Sequence, residues 1–422
     1  MSDEIYLDAS ATEPVSSGVI EAMTPFLADA FGNPASVHQP GRTAARALAA
    51  AREAFAAGLG GKSGDVVFTS GGTESDNLAI KGIAMARMKR MGLCPAFHAG
   101  DETDGYQSGD GGSHGVGEDG QDAESRRPRI VISAVEHPAV SQAADWLGRW
   151  FGFEVVRVPV DRQAHIDLEA LEDELAGRKG ERTTLVSVML ANNEVGTIEP
   201  VSQIVEIAHA HHVPVHVDAV QAAGRIPIRF RDWDIDALAV SGHKFATPKG
   251  LGALMLRNRV PIEPLISGGG QEHGLRSGTQ NVAGAVALAV AIGEANERMR
   301  DEWDAMVASR NKLIDAVRRV VPAAELTGDP EARLPGHASF VFPGVTGEAL
   351  LVDLDAHGIS CSSGSACAMG RHEVPPTLMA MGFDEDAAKS ALRMSFARPL
   401  TGDQIDRVAY ALEGSYTRLT QR

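Results

Sequence analysis

The chain has 422 residues and carries 39 lysines and arginines against 56 aspartates and glutamates, a net charge of −17. At about 150 residues per domain that length gives two to three domains, and 44% hydrophobic with 23% charged residues excludes a disordered chain. The acidic balance argues against direct nucleic-acid binding as the main business, and three scattered cysteines, Cys94, Cys361 and Cys367, exclude a disulfide framework.

Residues Met1 to Tyr6 lack the basic and apolar regions of a signal peptide. The apolar stretch Val282 to Gly293 runs only 12 residues before Glu294, too short to span a bilayer. The expectation is a cytoplasmic protein without membrane contact. Along the chain, short β-branched runs alternate with longer helical patterns. Val66–Thr69 precedes a helix from about Ser75, and Ile130–Ser133 precedes one after Pro138. Phe153–Val158, Thr184–Met189, Val213–Val217 and Ala237–Val240 follow, with helical segments between most of them. Such alternation predicts an α/β fold, a mostly parallel sheet with helices on both faces and ligands beyond the carboxyl ends of the strands. A long helical pattern from about Ala283 to Val320 leads to a tail of different rhythm, which reads as a smaller α+β domain beginning near residue 300. Gly92 to Pro128 holds nine glycines, eight acidic residues and two arginines without periodicity, and reads as a disordered insertion carrying six of the negative charges. Its His98, His114 and Cys94 match no metal-site spacing.

Four clusters follow strands. Ser70-Gly71-Gly72-Thr73-Glu74-Ser75 would let backbone approach an anion at a helix start, or serve as a plain turn. Asp218 could meet a protonated ring nitrogen or cap the next helix, with Gln221 near the same ligand. Ser241-Gly242-His243-Lys244 ends in a lysine that can form a Schiff base if its setting lowers its proton affinity, or is a solvated loop residue. Glu136-His137-Pro138 sets a histidine where it can stack on a flat ring, move protons, or satisfy a helix start. His209, His211, His212 and His216 are dense enough to suggest a metal, but most of the cluster is expected at the solvated end of a helix.

In this order the clusters resemble a known family, the pyridoxal-phosphate-dependent cysteine desulfurases of the nitrogen-fixation and iron–sulfur-cluster type, within the class V aminotransferases. The matching stretches are Tyr6-Leu7-Asp8-Ala9-Ser10-Ala11-Thr12, Phe31-Gly32-Asn33-Pro34, Phe68 to Ala79, Asn192-Asn193-Glu194-Val195-Gly196-Thr197, His216 to Gln221, Ser241 to Lys244 and Leu275 to Thr279. The resemblance implies a fold-type-I aminotransferase with a seven-stranded sheet. A large cofactor domain would span 15–300, and a small domain, 1–14 with 301–422, would carry the catalytic cysteine loop. It implies pyridoxal 5'-phosphate bound to Lys244, with Asp218 at its ring nitrogen and His137 stacked on the ring. Gly72, Thr73, Ser241 and His243 would lie on its phosphate, and Asn193 and Gln221 on its hydroxyl side. Thr279 would reach the phosphate of a neighbouring subunit, making a homodimer. Arg393, helped by Asn33, would hold the carboxylate of L-cysteine. Cys367, in Ser363-Gly364-Ser365-Ala366-Cys367-Ala368, would take the sulfur as a persulfide and pass it to an acceptor, an iron–sulfur scaffold or a tRNA-thiolation enzyme. Cys361 is read as a packed residue. The alternatives are a selenocysteine lyase or another class V aminotransferase, which would not need Cys367, and an inactive subunit binding a partner through the acidic insertion.

Overall fold

A computed structural model of the chain describes residues 4–93, 127–363 and 375–421. The segment expected to be a disordered insertion lies almost wholly outside them, as do Cys94 and Cys367. Twelve strands occur among the described residues: β1 (Ile5–Tyr6), β2 (Val66–Thr69), β3 (Arg129–Ser133), β4 (Glu154–Val158), β5 (Thr183–Met189), β6 (Val215–Asp218), β7 (Ala237–Ser241), β8 (Gly252–Leu256), β9 (Glu325–Leu326), β10 (His337–Val341), β11 (Ile359–Ser360) and β12 (Ala391–Ser395).

Seven of them form one sheet in the order β2-β8-β7-β6-β5-β3-β4. Only β8 runs against the rest, pairing antiparallel with both β2 and β7. Every residue of β5 is buried, and its run Thr-Thr-Leu-Val-Ser-Val-Met shows no polar alternation because helices cover both faces of the sheet. Val131, Val186, Val188 and Val217 point to one face, with Ile204, Val205, Leu288 and Ile292 from the helices Val201–Ala210 and Val282–Val320. Ile130, Ile132, Leu185 and Leu254 point to the other, against Ile80, Ile83, Val140 and Leu147. The mostly parallel α/β sheet expected from the sequence is therefore present. β8 is the strand that the β-branched pattern missed, since Gly-Ala-Leu-Met-Leu holds no β-branched residue.

A second core gathers Leu7, Phe340, Phe342, Leu354, Met394 and Leu412. It is built on the antiparallel strands β9, β10 and β12, the parallel pair β1 with β11, and the helices Gly347–Asp355 and Gly402–Thr420. The helix Val282–Val320 has 39 residues and no break. Its first half packs in the sheet core and its last turns, at Leu313 and Val317, in the second core. Residue 300 thus falls inside one unbroken helix, and the two cores are joined without a linker there.

Candidate active site

The first wall of the site is the turn after β2. Glycine is required where two backbones nearly touch, since a Cβ on Gly252 of β8 would lie 2.5 Å from Gly71 Cα; a Cβ on Gly72 would come 2.6 Å from the Val220 side chain at Cγ2. With side chains excluded there, Gly72 opens the helix Gly72–Asn77, and the first N–H groups of a helix attract anions. Glu74 fixes the turn by accepting from Ser70 N at 2.8 Å and from Arg276 Nε at 2.9 Å. Ser241, the last residue of β7, faces the same turn, its Oγ 3.9 Å from the position of a Gly71 Cβ.

The second wall is made by β6. Asp218 ends it with 5% exposure, and its Oδ1 accepts from Val220 N at 2.9 Å. Burial pushes its carboxyl up to about 7, helped by the charge of Asp76 and opposed by His137. A carboxylate in this position is costly unless a cation joins it. Behind it stand two buried acids that the sequence did not single out. Asp76 lies 3.5 Å from His216 Nε2, and Glu136 accepts from Met189 N at 2.7 Å. Burial raises both well above the usual carboxylate range. Gln221 donates to Ser10 O at 3.0 Å, and its Oε1 has no protein partner.

The third wall follows β7, where a short turn, Gly242–Lys244, projects the lysine into the cavity. Lys244 Nζ donates to Ser10 O at 2.6 Å and to Ala11 O at 2.8 Å. These two carbonyls orient the amine. His243 meets Thr12 Oγ1 at 3.2 Å through Nδ1, and burial, with Lys244 and Lys249, lowers it to about 4, leaving a neutral imidazole. His137 caps the helix Pro138–Phe151 by accepting from Ala139 N at 3.1 Å while its ring lines the cavity. The histidine thus caps the helix and lines the cavity at once. Burial lowers its basicity, with Asp218 opposing.

Gly72, Thr73, His137, Asn193, Asp218, Gln221, Ser241, His243, Lys244 and Arg393 all line one cavity of about 520 Å³ at the carboxyl ends of the strands. Arg393 of β12 donates to Asn193 O at 3.0 Å and to Asp8 Oδ1 at 2.8 Å. Two predicted residues are not on that wall. Asn33 is exposed, its Oδ1 closing a local turn with Ala35 N at 2.9 Å, and Thr279 is exposed as well. Cys361 is 9% exposed in the second core, and burial pushes its thiol up to about 12, as fits a packed residue.

The histidine cluster divides between a helix end and a strand. His209 pairs with Asp236 at 2.7 Å and His211 with Glu172 at 2.7 Å, both at the end of the helix Val201–Ala210. His216 lies in the strand, fully buried in β6, its Nδ1 2.9 Å from Ser187 Oγ. Among the described residues no group of three or more His, Cys, Asp or Glu could hold a metal, and no helix is long and apolar enough to cross a membrane.

The donor set fits a flat, phosphorylated ring with a basic nitrogen. Asp218 needs a cation, the glycine turn and Ser241 offer N–H and O–H groups to an anion, and Gln221 Oε1 awaits a partner. A doubly wound sheet with a lysine and a buried aspartate at the strand ends defines an enzyme of the fold-type-I aminotransferase class. The signature of the class-V aminotransferases matches residues 5–92 and 121–408, and the chain belongs to that family. It is 38% identical over 404 residues to a cysteine desulfurase IscS of Methanosarcina thermophila, covering 96% of this chain and 90% of that protein. An IscS-like cysteine desulfurase of Mycobacterium tuberculosis is 39% identical over 414 residues, 98% of this chain and 96% of the other. The solved structure of a NifS-like protein superposes with a TM-score of 0.81 at 34% identity, covering 97% of this chain and 98% of that one.

Proposed function

We propose that the protein is a pyridoxal 5'-phosphate-dependent cysteine desulfurase that converts L-cysteine to L-alanine and receives the sulfur on Cys367 as a persulfide. The observation that carries this reading is the meeting of Lys244, Asp218 and Arg393 on one cavity, in a chain whose relatives are cysteine desulfurases. When bound, the cofactor supplies an electron sink for the bonds at the substrate's Cα.

The chain's own residues do the rest. Asp218 gives a buried negative partner to the ring nitrogen, and His137 covers the ring. Gly72, Thr73, Ser241 and His243 hold the phosphate, while Asn193 and Gln221 face the ring hydroxyl. Lys244 anchors the cofactor and then carries the proton at the substrate's Cα; the carbonyls of Ser10 and Ala11 aim its amine. Arg393 holds the substrate carboxylate, a task suited to a planar guanidinium. The Cys367 thiolate bonds to the substrate sulfur, the Cβ–S bond breaks, and Cβ takes a proton to give alanine. A sulfur-acceptor protein, an iron–sulfur scaffold or a tRNA-thiolation enzyme, then takes the persulfide sulfur.

We further propose a cytoplasmic homodimer with shared sites. Thr279 and Asn33 are exposed and absent from their own cavity, and Phe31 and Val37, 74% and 88% exposed, surround Asn33 with apolar surface that a partner would cover. Reactive thiol chemistry suits a reducing compartment.

The test is a pair of variants. Lys244→Ala should lose the cofactor's visible absorption band of the native protein together with activity; an unchanged band sinks the lysine assignment. Cys367→Ser should stay yellow and release no sulfide from L-cysteine, and full activity in that variant refutes the nucleophile.

A further inference from the structure

Arg393 is buried, with 5% of its side chain exposed, yet only part of its donor set is used. Nη1 is bonded to Asn193 O and Nη2 to Asp8 Oδ1, while Nε is buried without a partner. Nε and Nη2 lie side by side on the guanidinium edge that accepts a carboxylate through two parallel bonds. One donor of that edge is thus vacant and its neighbour is already held by a carboxylate of the chain itself.

Asp8 cannot leave by moving its backbone. Ala9 N donates to Ser395 O at 2.9 Å, Ser395 N to Leu7 O at 2.7 Å, and Ser10 N to Ser395 Oγ at 2.8 Å, so the segment is stitched to the strand that carries Arg393. Its side chain, however, is 21% exposed and can rotate toward water. Two residues further on, the same segment offers the Ser10 and Ala11 carbonyls to Lys244.

We infer that Asp8 is an internal competitor of the substrate carboxylate for Arg393, so that amino-acid binding is an exchange of carboxylates on one guanidinium. Two carboxylates held on one buried cation repel each other, so the arriving α-carboxylate takes the Nε–Nη2 edge as Asp8 turns to solvent. The contact weakens affinity for any small acid and sets how much substrate is needed before the cavity fills. This rests on the reading of Arg393 as the substrate clamp. A positioning role, in which Asp8 merely orients Arg393, has the opposite signature.

The experiment uses the cofactor-loaded protein with Asp8→Asn and Asp8→Ala, checked for native melting. Steady-state KM and kcat for L-cysteine are measured, together with equilibrium binding of L-alanine and of cysteamine, an amino-thiol without a carboxylate. The expected result is a roughly tenfold fall in KM and in the L-alanine dissociation constant, about 1.4 kcal/mol, with kcat little changed and cysteamine unaffected. A KM that rises or stays level in both variants overturns the competitor. Arg393→Ala serves as the separate control: it should weaken L-alanine binding but not cysteamine, and unaltered L-alanine affinity there overturns the clamp reading and the competitor with it.

Discussion

Asp218 is the residue whose substitution separates the demands of folding from those of function. Its carboxyl is pushed from 3.8 to about 7 by burial and by Asp76. An acid raised in the folded state binds protons there that it loses on unfolding, so stability declines as pH climbs from about 4 to about 7 and is level above. The rise corresponds to about 4 kcal/mol as a ceiling, and allowing for the poorly matched amide of an asparagine the net effect is about 2 kcal/mol. Asp218→Asn should therefore make the cofactor-stripped protein more stable than the parent by about 2 kcal/mol at pH 8 and less stable by about 2 kcal/mol near pH 4, where only the amide mismatch is left. In the loaded protein the order should reverse, because only the carboxylate gives the ring nitrogen a charge partner. Urea unfolding of stripped and loaded protein across pH 4–8.5 reads both effects. A stripped variant no more stable than its parent at pH 8 would refute the claim that an unpaired buried carboxylate waits for a cation.

Other positions give independent checks. His165, between Glu199 and Asp329, is raised from 6.5 to about 9, first by the Glu199 carboxylate 3.8 Å from its Nδ1 and also by its 2.9 Å bond to Asp329. Because the side chain is part-exposed, 24%, and solvent screens the pair, His165→Gln should cost about 1 kcal/mol. The loss should be full below pH 6.5 and fade as pH passes 9, as thermal melts at pH 6 and pH 9.5 will show. Glu272 accepts from Arg52 Nη1 and Nη2 at 2.9 and 2.7 Å and from Phe68 N at 2.9 Å, so Glu272→Ala strands a buried guanidinium and should cost about 3–5 kcal/mol in urea unfolding. Gly252→Ala drives a Cβ to 2.5 Å from Gly71 Cα and should cost about 2 kcal/mol while weakening cofactor affinity in a fluorescence titration. Normal affinity there would mean that the glycine turn does not hold the phosphate.

The sequence carried the sheet because its central strands are buried on both faces and therefore read as short β-branched-rich runs, as in Val186-Ser187-Val188 and Val215-His216-Val217. β8 escaped because Gly252 is dictated by the approach of Gly71, and its alanine and methionine report packing rather than strand preference. The helix start at Gly72 rather than Ser75 has the same origin, since the turn is set by the backbone contact of two distant glycines. Lys244, Asp218 and His137 were legible as cavity residues because each stands at or within a few residues of the end of a strand. Asp76, Glu136 and Asp8 stood within quoted motifs without a role, since their partners lie 140, 53 and 385 positions away and only folding brings them together. The solvated end expected for most of the histidine cluster holds for His209 and His211, which finish a helix. His216 follows Pro214 into a buried strand and answers to Ser187 and Asp76 instead.

The central claim is that the cavity removes sulfur from cysteine while leaving the carbon skeleton as alanine. Its most direct test is product stoichiometry from L-cysteine with the purified, cofactor-loaded protein under thiol reductant. Equal amounts of L-alanine and sulfide, both lost in Lys244→Ala and Cys367→Ser, are the predicted result. Sulfide released with pyruvate and ammonia in place of alanine would contradict it.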